Sequence, residues 1–231
     1  LRKPSWPVAY FFKPANVAIY DNLLGRAYVR GELPRAVNAV TDDFEVAGKV
    51  GGTPRDAFLS WVENALEDIR NGEVFQVVLS RYEDYQVRGD LITLYERLVE
   101  INPSPYMYYM QVGRERIIGT SPELLVKVDG NIVETHPIAG TRPRGSDAWE
   151  DLKLEDELLG SIKDRAEHVM LVDLARNDLG KVCRFGTVRV RELYAIEKYQ
   201  SVQHLVSRVE GVLERGYNVV DALFATFPAG T

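Results

Sequence analysis

The stretch Leu124-Leu-Val-Lys-Val-Asp-Gly-Asn-Ile-Val-Glu-Thr135 decides the fold class. Residues 124–128 and 132–135 are short β-rich runs, and the Asp129-Gly130 between them suits a tight hairpin turn. Two antiparallel strands joined directly are the expectation. Working outward, residues 106–112 form an aromatic run upstream, and residues 188–190 and 202–212 read as strands downstream. Helical patterns fall between these groups. Residues 90–101 carry Leu94, Leu98 and Ile101 and stop before Asn102-Pro-Ser-Pro105, where neither proline continues a helix. Residues 152–177 form a long helical stretch in two pieces around Gly160-Ser161, and residues 218–227 a final amphipathic helix ended by Pro228. Residues 139–145 read as a Gly/Pro/Arg loop. Strands adjoin strands, so the pattern predicts an α+β protein with antiparallel sheets, not a Rossmann-type alternation.

Further upstream, Thr53-Pro-Arg-Asp56 has the form of a capping box with proline at the first helical position. Phe58, Trp61, Val62, Ala65, Leu66 and Ile69 follow at helical spacing, which predicts a helix packing one face. Residues 75–81 read as a strand. Residues 8–12, 17–20 and 27–30, with turn signals at Lys13-Pro14 and Asp21-Asn22, read as a hairpin region. Residues 32–52, rich in glycine and without periodicity, read as a linker.

The 231 residues carry a formal charge of -6 and 45% hydrophobic content, which excludes a disordered or collagenous chain. Acidic and basic residues are interspersed, so no basic face is indicated for nucleic acid or a membrane surface. The single cysteine, Cys183, reads as a small buried apolar residue and allows no internal disulfide, in keeping with a reducing compartment. No apolar run approaches the roughly 18 residues of a membrane span. A cytoplasmic protein is the expectation. The start at Leu1 and the stop at Thr231 read as an excerpt of a longer protein.

Three groups could carry chemistry. Asp164, Glu167 and His168 fall at i, i+3 and i+4 of one helix, a spacing that suits either a hard divalent cation or a solvated charged face. His204 lies in an apolar strand, as a general acid or base or as a hydrogen-bonded core residue. Gly140-Thr141, followed by Arg142 and Arg144, offers N–H groups, a hydroxyl and guanidinium forks for carboxylates, or a plain turn.

Seven ordered motifs run from about residue 54 to the end. They are Phe75-Gln-Val-Val-Leu-Ser-Arg81, Ile101-Asn-Pro-Ser-Pro-Tyr-Met107, Ile118-Gly-Thr-Ser-Pro-Glu-Leu124, Pro137-Ile-Ala-Gly-Thr-Arg-Pro-Arg-Gly145, Ala166-Glu-His-Val-Met-Leu-Val-Asp-Leu-Ala-Arg-Asn-Asp-Leu-Gly180, Val202-Gln-His-Leu-Val-Ser-Arg208 and Thr226-Phe-Pro-Ala-Gly-Thr231. In these motifs the chain resembles the chorismate-utilising enzymes, and within them the large-subunit (component I) branch of the anthranilate synthases. The resemblance implies antiparallel sheets packed as a sandwich with helices outside, truncated here at both ends. It implies that residues 1–52 end an N-terminal region (hairpin plus linker) and that residues 53–231 are a partial catalytic domain lacking its C-terminal part.

It further implies Mg²⁺-dependent amination of chorismate by ammonia and elimination of pyruvate to give anthranilate, in tryptophan biosynthesis, with the ammonia supplied by a glutamine amidotransferase subunit. Glu167 resembles a Mg²⁺ ligand, with Asp164 nearby as support. Gly140 and Thr141 resemble the chorismate-contacting pair, His204 the histidine that assists elimination, and Thr231 another pocket residue. Gln76 stands where isochorismate and salicylate synthases carry a water-activating lysine, and Ala139 where aminodeoxychorismate synthases carry lysine. Both favour anthranilate synthase. Pro105, Tyr106 and Met107 resemble a tryptophan-feedback segment. Aminodeoxychorismate synthase and a non-catalytic fragment of the fold are the alternatives.

Overall fold

The computed structural model describes residues 10, 12–32 and 44–229. The chain divides into two compact units, residues 1–41 and residues 42–231. In the first, β1 (Val17–Asp21) and β2 (Arg26–Arg30) form the expected antiparallel hairpin, with Val17 opposite Arg30. Residues 8, 9 and 11 of the proposed first run, and residues 33–43 of the proposed linker, lie outside the described residues.

The larger unit opens with a difference from the sequence reading. The rest of the linker is a strand: β3 (Phe44–Gly52) pairs antiparallel with β4 (Glu83–Gly89), with two register shifts. Those irregularities erase the period-two pattern by which a strand is recognised. Between them runs α1 (Arg55–Arg70), as expected, yet Thr53 does not cap it. Its backbone N–H donates to the Tyr82 carbonyl and its hydroxyl accepts from the Tyr82 N–H, so the capping side chain is drawn to the strand instead. Residues 75–81 form no strand, for among the described residues no ladder partner lies beside them, and Phe75 is 92% exposed. Next come α2 (Leu91–Ile101), capped by the Asp90 carboxylate, and the hairpin of β5 (Tyr106–Val112) and β6 (Glu115–Ser121).

The main sheet is built around its last strand. It contains β7 (Lys127–Asp129), β8 (Ile132–Thr135), β9 (Ile138–Pro143), β10 (Arg189–Lys198) and β11 (Val202–Val212). β11 pairs with β10 on one side, and on the other with β9 and β8 in succession, always antiparallel. The loop expected at residues 139–145 is therefore mostly strand. Gly140 and Pro143 disfavour a strand locally, and the edge of β11 overrides that preference.

Two consecutive helices, α3 (Ala148–Gly160) and α4 (Ile162–Gly180), pack against this sheet, broken where Gly160-Ser161 suggested. Ser161 closes α3, and its hydroxyl accepts from the Asp164 N–H to open α4. The short α5 (Val219–Thr226) carries an Asn218–Asp221 capping box and packs on α4. The core lies between sheet and helices: Val133, Val172, Ala175, Leu179, Val182, Cys183, Val209 and Ala222. β11 contributes buried residues to both of its faces, including Leu205, Val206 and Val209, so its position is fixed from two sides.

Candidate active site

β9 and β11 supply the centre of the site. Their register sets Thr141 opposite His204, and the Thr141 Oγ1 lies 2.9 Å from the His204 Nδ1. His204 is partly buried. Burial pushes its pKa down, partly offset by a hydrogen bond with the Gly140 backbone and by the Glu197 charge. An imidazole kept neutral in this way is able to accept a proton. The Tyr199 ring sits 5.5 Å from the His204 ring, and its hydroxyl donates to the Glu197 carboxylate at 2.8 Å. Burial first, and that bond second, push the Tyr199 pKa up to about 12.

Gly140 shows why this strand needs a glycine. Its φ is +90°, and a Cβ there would come within 3.1 Å of the Leu158 Cδ1 and 3.2 Å of the Asp164 Cβ. The backbone of β9 is thereby let in against α3 and α4. Asp164 also accepts from the Arg142 guanidinium at 3.0 Å. The Ser161 hydroxyl, with Arg142 beside it, holds the Asp164 carboxyl below the usual range. Arg144 makes a two-pronged bond to Asp151, 2.8 Å on each prong, and the Gly145 N–H and Lys198 complete that group. Arg144 is the first cause holding the Asp151 carboxyl far below the ordinary carboxylate range. Both guanidinium forks that suggested a carboxylate cradle are thus paired with internal carboxylates.

The helical triplet separates into different roles. Asp164 and His168 turn to the sheet, whereas the Glu167 side chain keeps 45% of its exposure and, among the described residues, has only the Lys163 Nζ, at 3.7 Å, as an ion-pair partner. The solvated-face reading therefore fails for Asp164 and His168, and Glu167 retains a hard oxygen donor for a cation. Among the described residues no cluster of three or more histidine, cysteine, aspartate or glutamate groups forms a ready metal cage.

A carboxyl that sequence reasoning passed over lies at the start of β9. Glu123, between β6 and β7, accepts from the Ile138 N–H at 3.3 Å, at the start of β9. Burial raises its pKa, and the Ile138 bond lowers it less. With Ser121, Thr135, Leu171 and Thr226 it lines a cavity of about 280 Å³. The signal was a lone carboxylate set directly before the apolar Leu124-Leu125-Val126, inside a quoted motif. Tyr106 and Glu123 both lie close enough to Tyr199 to raise its pKa.

The remaining predicted residues are placed as follows. Tyr106 and Met107 open β5, opposite Ser121 and Thr120, and Pro105 precedes them on the surface. Gln76 is exposed in the irregular segment after α1 and makes none of the contacts described for His204. Thr231 lies outside the described residues.

A family model described as chorismate binding enzyme matches residues 9–231. The chain belongs to the chorismate binding enzymes. It is 54% identical over 228 residues to an anthranilate synthase component 1 from Saccharolobus solfataricus, covering 98% of this chain and 54% of that protein. An aminodeoxychorismate synthase component 1 from Bacillus subtilis is 49% identical over 201 residues, 87% of this chain and 43% of that protein. Among solved structures, anthranilate synthase component I from Streptococcus pneumoniae superposes with a TM-score of 0.79 at 33% identity, over 93% of this chain and 52% of that one. The chain spans about half the length of the relatives it matches.

Proposed function

We propose that the full-length gene product is a cytoplasmic anthranilate synthase large subunit acting in tryptophan biosynthesis. It adds ammonia to chorismate with loss of the ring hydroxyl, then eliminates pyruvate to leave anthranilate. The observation that carries this reading is the His204–Thr141 pair seated beside Gly140, with the Glu123 carboxyl bonded to the backbone at the start of the same strand. Loss of a hydroxyl requires a proton donor, and the raised pKa of Glu123, from partial desolvation, makes it hold its proton more firmly than an ordinary carboxyl. Glu123 gives its proton to the departing oxygen, which leaves as water. His204, neutral, takes the ring proton during elimination, and Thr141 orients its imidazole. Gly140 and Thr141 present the β9 backbone to the substrate.

Glu167 fits a magnesium ion by donor chemistry, with Asp164 supporting it through the Arg142-paired end of α4. A cation held there would supply charge neutralisation for the substrate carboxylate and a template for the ring. By its motif, Thr231 is assigned to substrate contact. A glutamine amidotransferase subunit supplies the ammonia, and tryptophan is the feedback ligand of Pro105, Tyr106 and Met107. Gln76 and Ala139 stand in place of two lysines, which disfavours water as nucleophile and aminodeoxychorismate as product. The relative from Bacillus subtilis keeps the aminodeoxychorismate reading as the alternative. Incubating the full-length gene product with chorismate, Mg²⁺ and an ammonium salt decides between them. Fluorescent anthranilate is the expected product, and aminodeoxychorismate, or no turnover at all, overturns the proposal.

A further inference from the structure

His168 follows Glu167 on α4 and is fully buried. The proposed chemistry gives it no proton to carry and no substrate to touch. Its two ring nitrogens nevertheless have partners of opposite kind. Nδ1 lies 3.1 Å from the Ala139 carbonyl oxygen, which only accepts, so this nitrogen carries the hydrogen. Nε2 lies 2.6 Å from the Ser207 Oγ, and in the neutral ring it must accept the Ser207 hydroxyl hydrogen. Ser207 in turn accepts from the Tyr194 N–H at 3.1 Å. Each donor has one acceptor and each acceptor one donor, and only one tautomer satisfies the chain.

The surroundings hold this arrangement from three elements. Tyr194 has a φ of +62°, a left-handed backbone that a bulky residue rarely adopts, and it sits where β10 shifts register. That turn aims its N–H at Ser207 and its ring at His168, 5.5 Å between centroids, with the Arg165 guanidinium 5.0 Å over the far ring. Ser207 also ties its own N–H to the Pro137 carbonyl, at the entrance of β9. On β9, His168 holds Ala139 and Asp164, one helical turn earlier, packs on Gly140 and pairs with Arg142. α4 thus grips consecutive residues of the strand that presents Gly140 and Thr141.

We infer that His168 is a positioning residue, which through its single neutral tautomer fixes the Ala139 carbonyl and so sets Gly140 and Thr141 against the helix that bears Glu167. This rests on the reading of Gly140 and Thr141 as substrate contacts. A buried histidine serving only to fill space needs neither a serine that accepts a strained backbone N–H nor a carbonyl next to the substrate residues.

Two variants separate positioning from packing. His168→Asn keeps an amide N–H at the distance of Nδ1 and loses reach to Ser207. His168→Gln reaches Ser207 and leaves the Ala139 carbonyl unpaired. Each forfeits one buried hydrogen bond, so their thermal midpoints fall together. In the full-length gene product, His168→Gln raises the KM for chorismate about tenfold with kcat little changed, and His168→Asn stays within about threefold of the unmodified enzyme. Equal KM values in the two variants, with equal loss of thermal stability, overturn the inference. Amide hydrogen exchange at Thr141 gives a reading without turnover: faster in His168→Gln, unchanged in His168→Asn. If the unmodified protein makes no anthranilate, the functional proposal falls while the exchange comparison still decides the clamp. Should either variant fail to fold, Ser207→Ala joins the comparison. That change removes the Nε2 partner and keeps the Nδ1 bond to Ala139, so Thr141 exchange stays unchanged as in His168→Asn, and faster exchange overturns the inference.

Discussion

Two helices of this chain have opposite relations to their surroundings. α1 presents a well-spaced apolar stripe, yet none of its residues is buried, and Trp61, Leu66 and Ile69 are each more than a third exposed. α4 carries a mixed sequence, Ile162 to Gly180, and buries His168, Val172, Ala175 and Leu179, with Asp164 turned to the sheet. Apolar periodicity identifies a helix in both cases, but what is buried depends on which elements the chain brings against it. The sheet built on β11 closes over α4 and forces polar groups into partnerships. The paired strands β3 and β4 do not close over α1 in the same way. Position is therefore specified most sharply where polar side chains had to be satisfied, and that is the part of the molecule that holds the site.

The largest consequence of that difference is in packing energy. Leu158 is fully buried beside Gly140, so Leu158→Ala removes apolar contacts and leaves a cavity under β9. A loss of about 2–5 kcal/mol is expected, read as a shift of the urea midpoint at unchanged slope. A loss below about 1 kcal/mol would mean that the site half is no better packed than α1 and would dissolve the contrast.

How much of this was legible in the sequence follows the same line. The break at Gly160-Ser161, the hairpin at Asp129-Gly130 and the stop of the last helix before Pro228 were readable because each is local chemistry. β9 was not, since glycine and proline argue against a strand and only the edge of β11, sixty residues later, makes it one. The segment at 75–81 failed the other way: alternation without a neighbour is not a strand. Thr53 carried the right cap chemistry and lost it to Tyr82. In the site, the residue types at 140, 141, 167 and 204 stood out by motif, but the 2.9 Å approach of Thr141 to His204 is a matter of register that no spacing encodes. The backbone bond of Glu123 and the buried bonds of His168 escaped for a related reason: the partners that give them their meaning are tertiary neighbours.

Acid sharpens the comparison next. His168 and His204 have pKa values depressed by burial, so below about pH 6.5 the unfolded chain takes up protons before the folded one and stability falls. Asp151 is depressed below its ordinary 3.8, so its contribution is present above that value and is lost as pH drops further. Both effects have the same sign. On the α1 side, Glu83 is lowered to about 2 by the Tyr85 hydroxyl and Lys49, but in an exposed group that salt screens. Urea midpoints measured from pH 8 to pH 3 are expected to fall in two limbs, with Asp151→Asn flattening the lower one. Persistence of both limbs at full size in that variant would shift the acid sensitivity away from the site half.

The smallest effect probes the other side. Trp61 is 44% exposed, and its ring meets Phe58 edge-on at 6.3 Å. Tryptophan and serine have similar helix propensity, so Trp61→Ser removes little from the folded chain beyond that one ring contact. The expected change is within about 0.5 kcal/mol, against the several expected for Leu158. Its value lies in the sign of a surprise. If the urea midpoint instead falls by as much as a core substitution would produce, the apolar stripe of α1 is covered in solution. Its spacing would then report a packed face as faithfully as the pattern of α4 does, and the difference between the helices would be one of partner rather than of sequence.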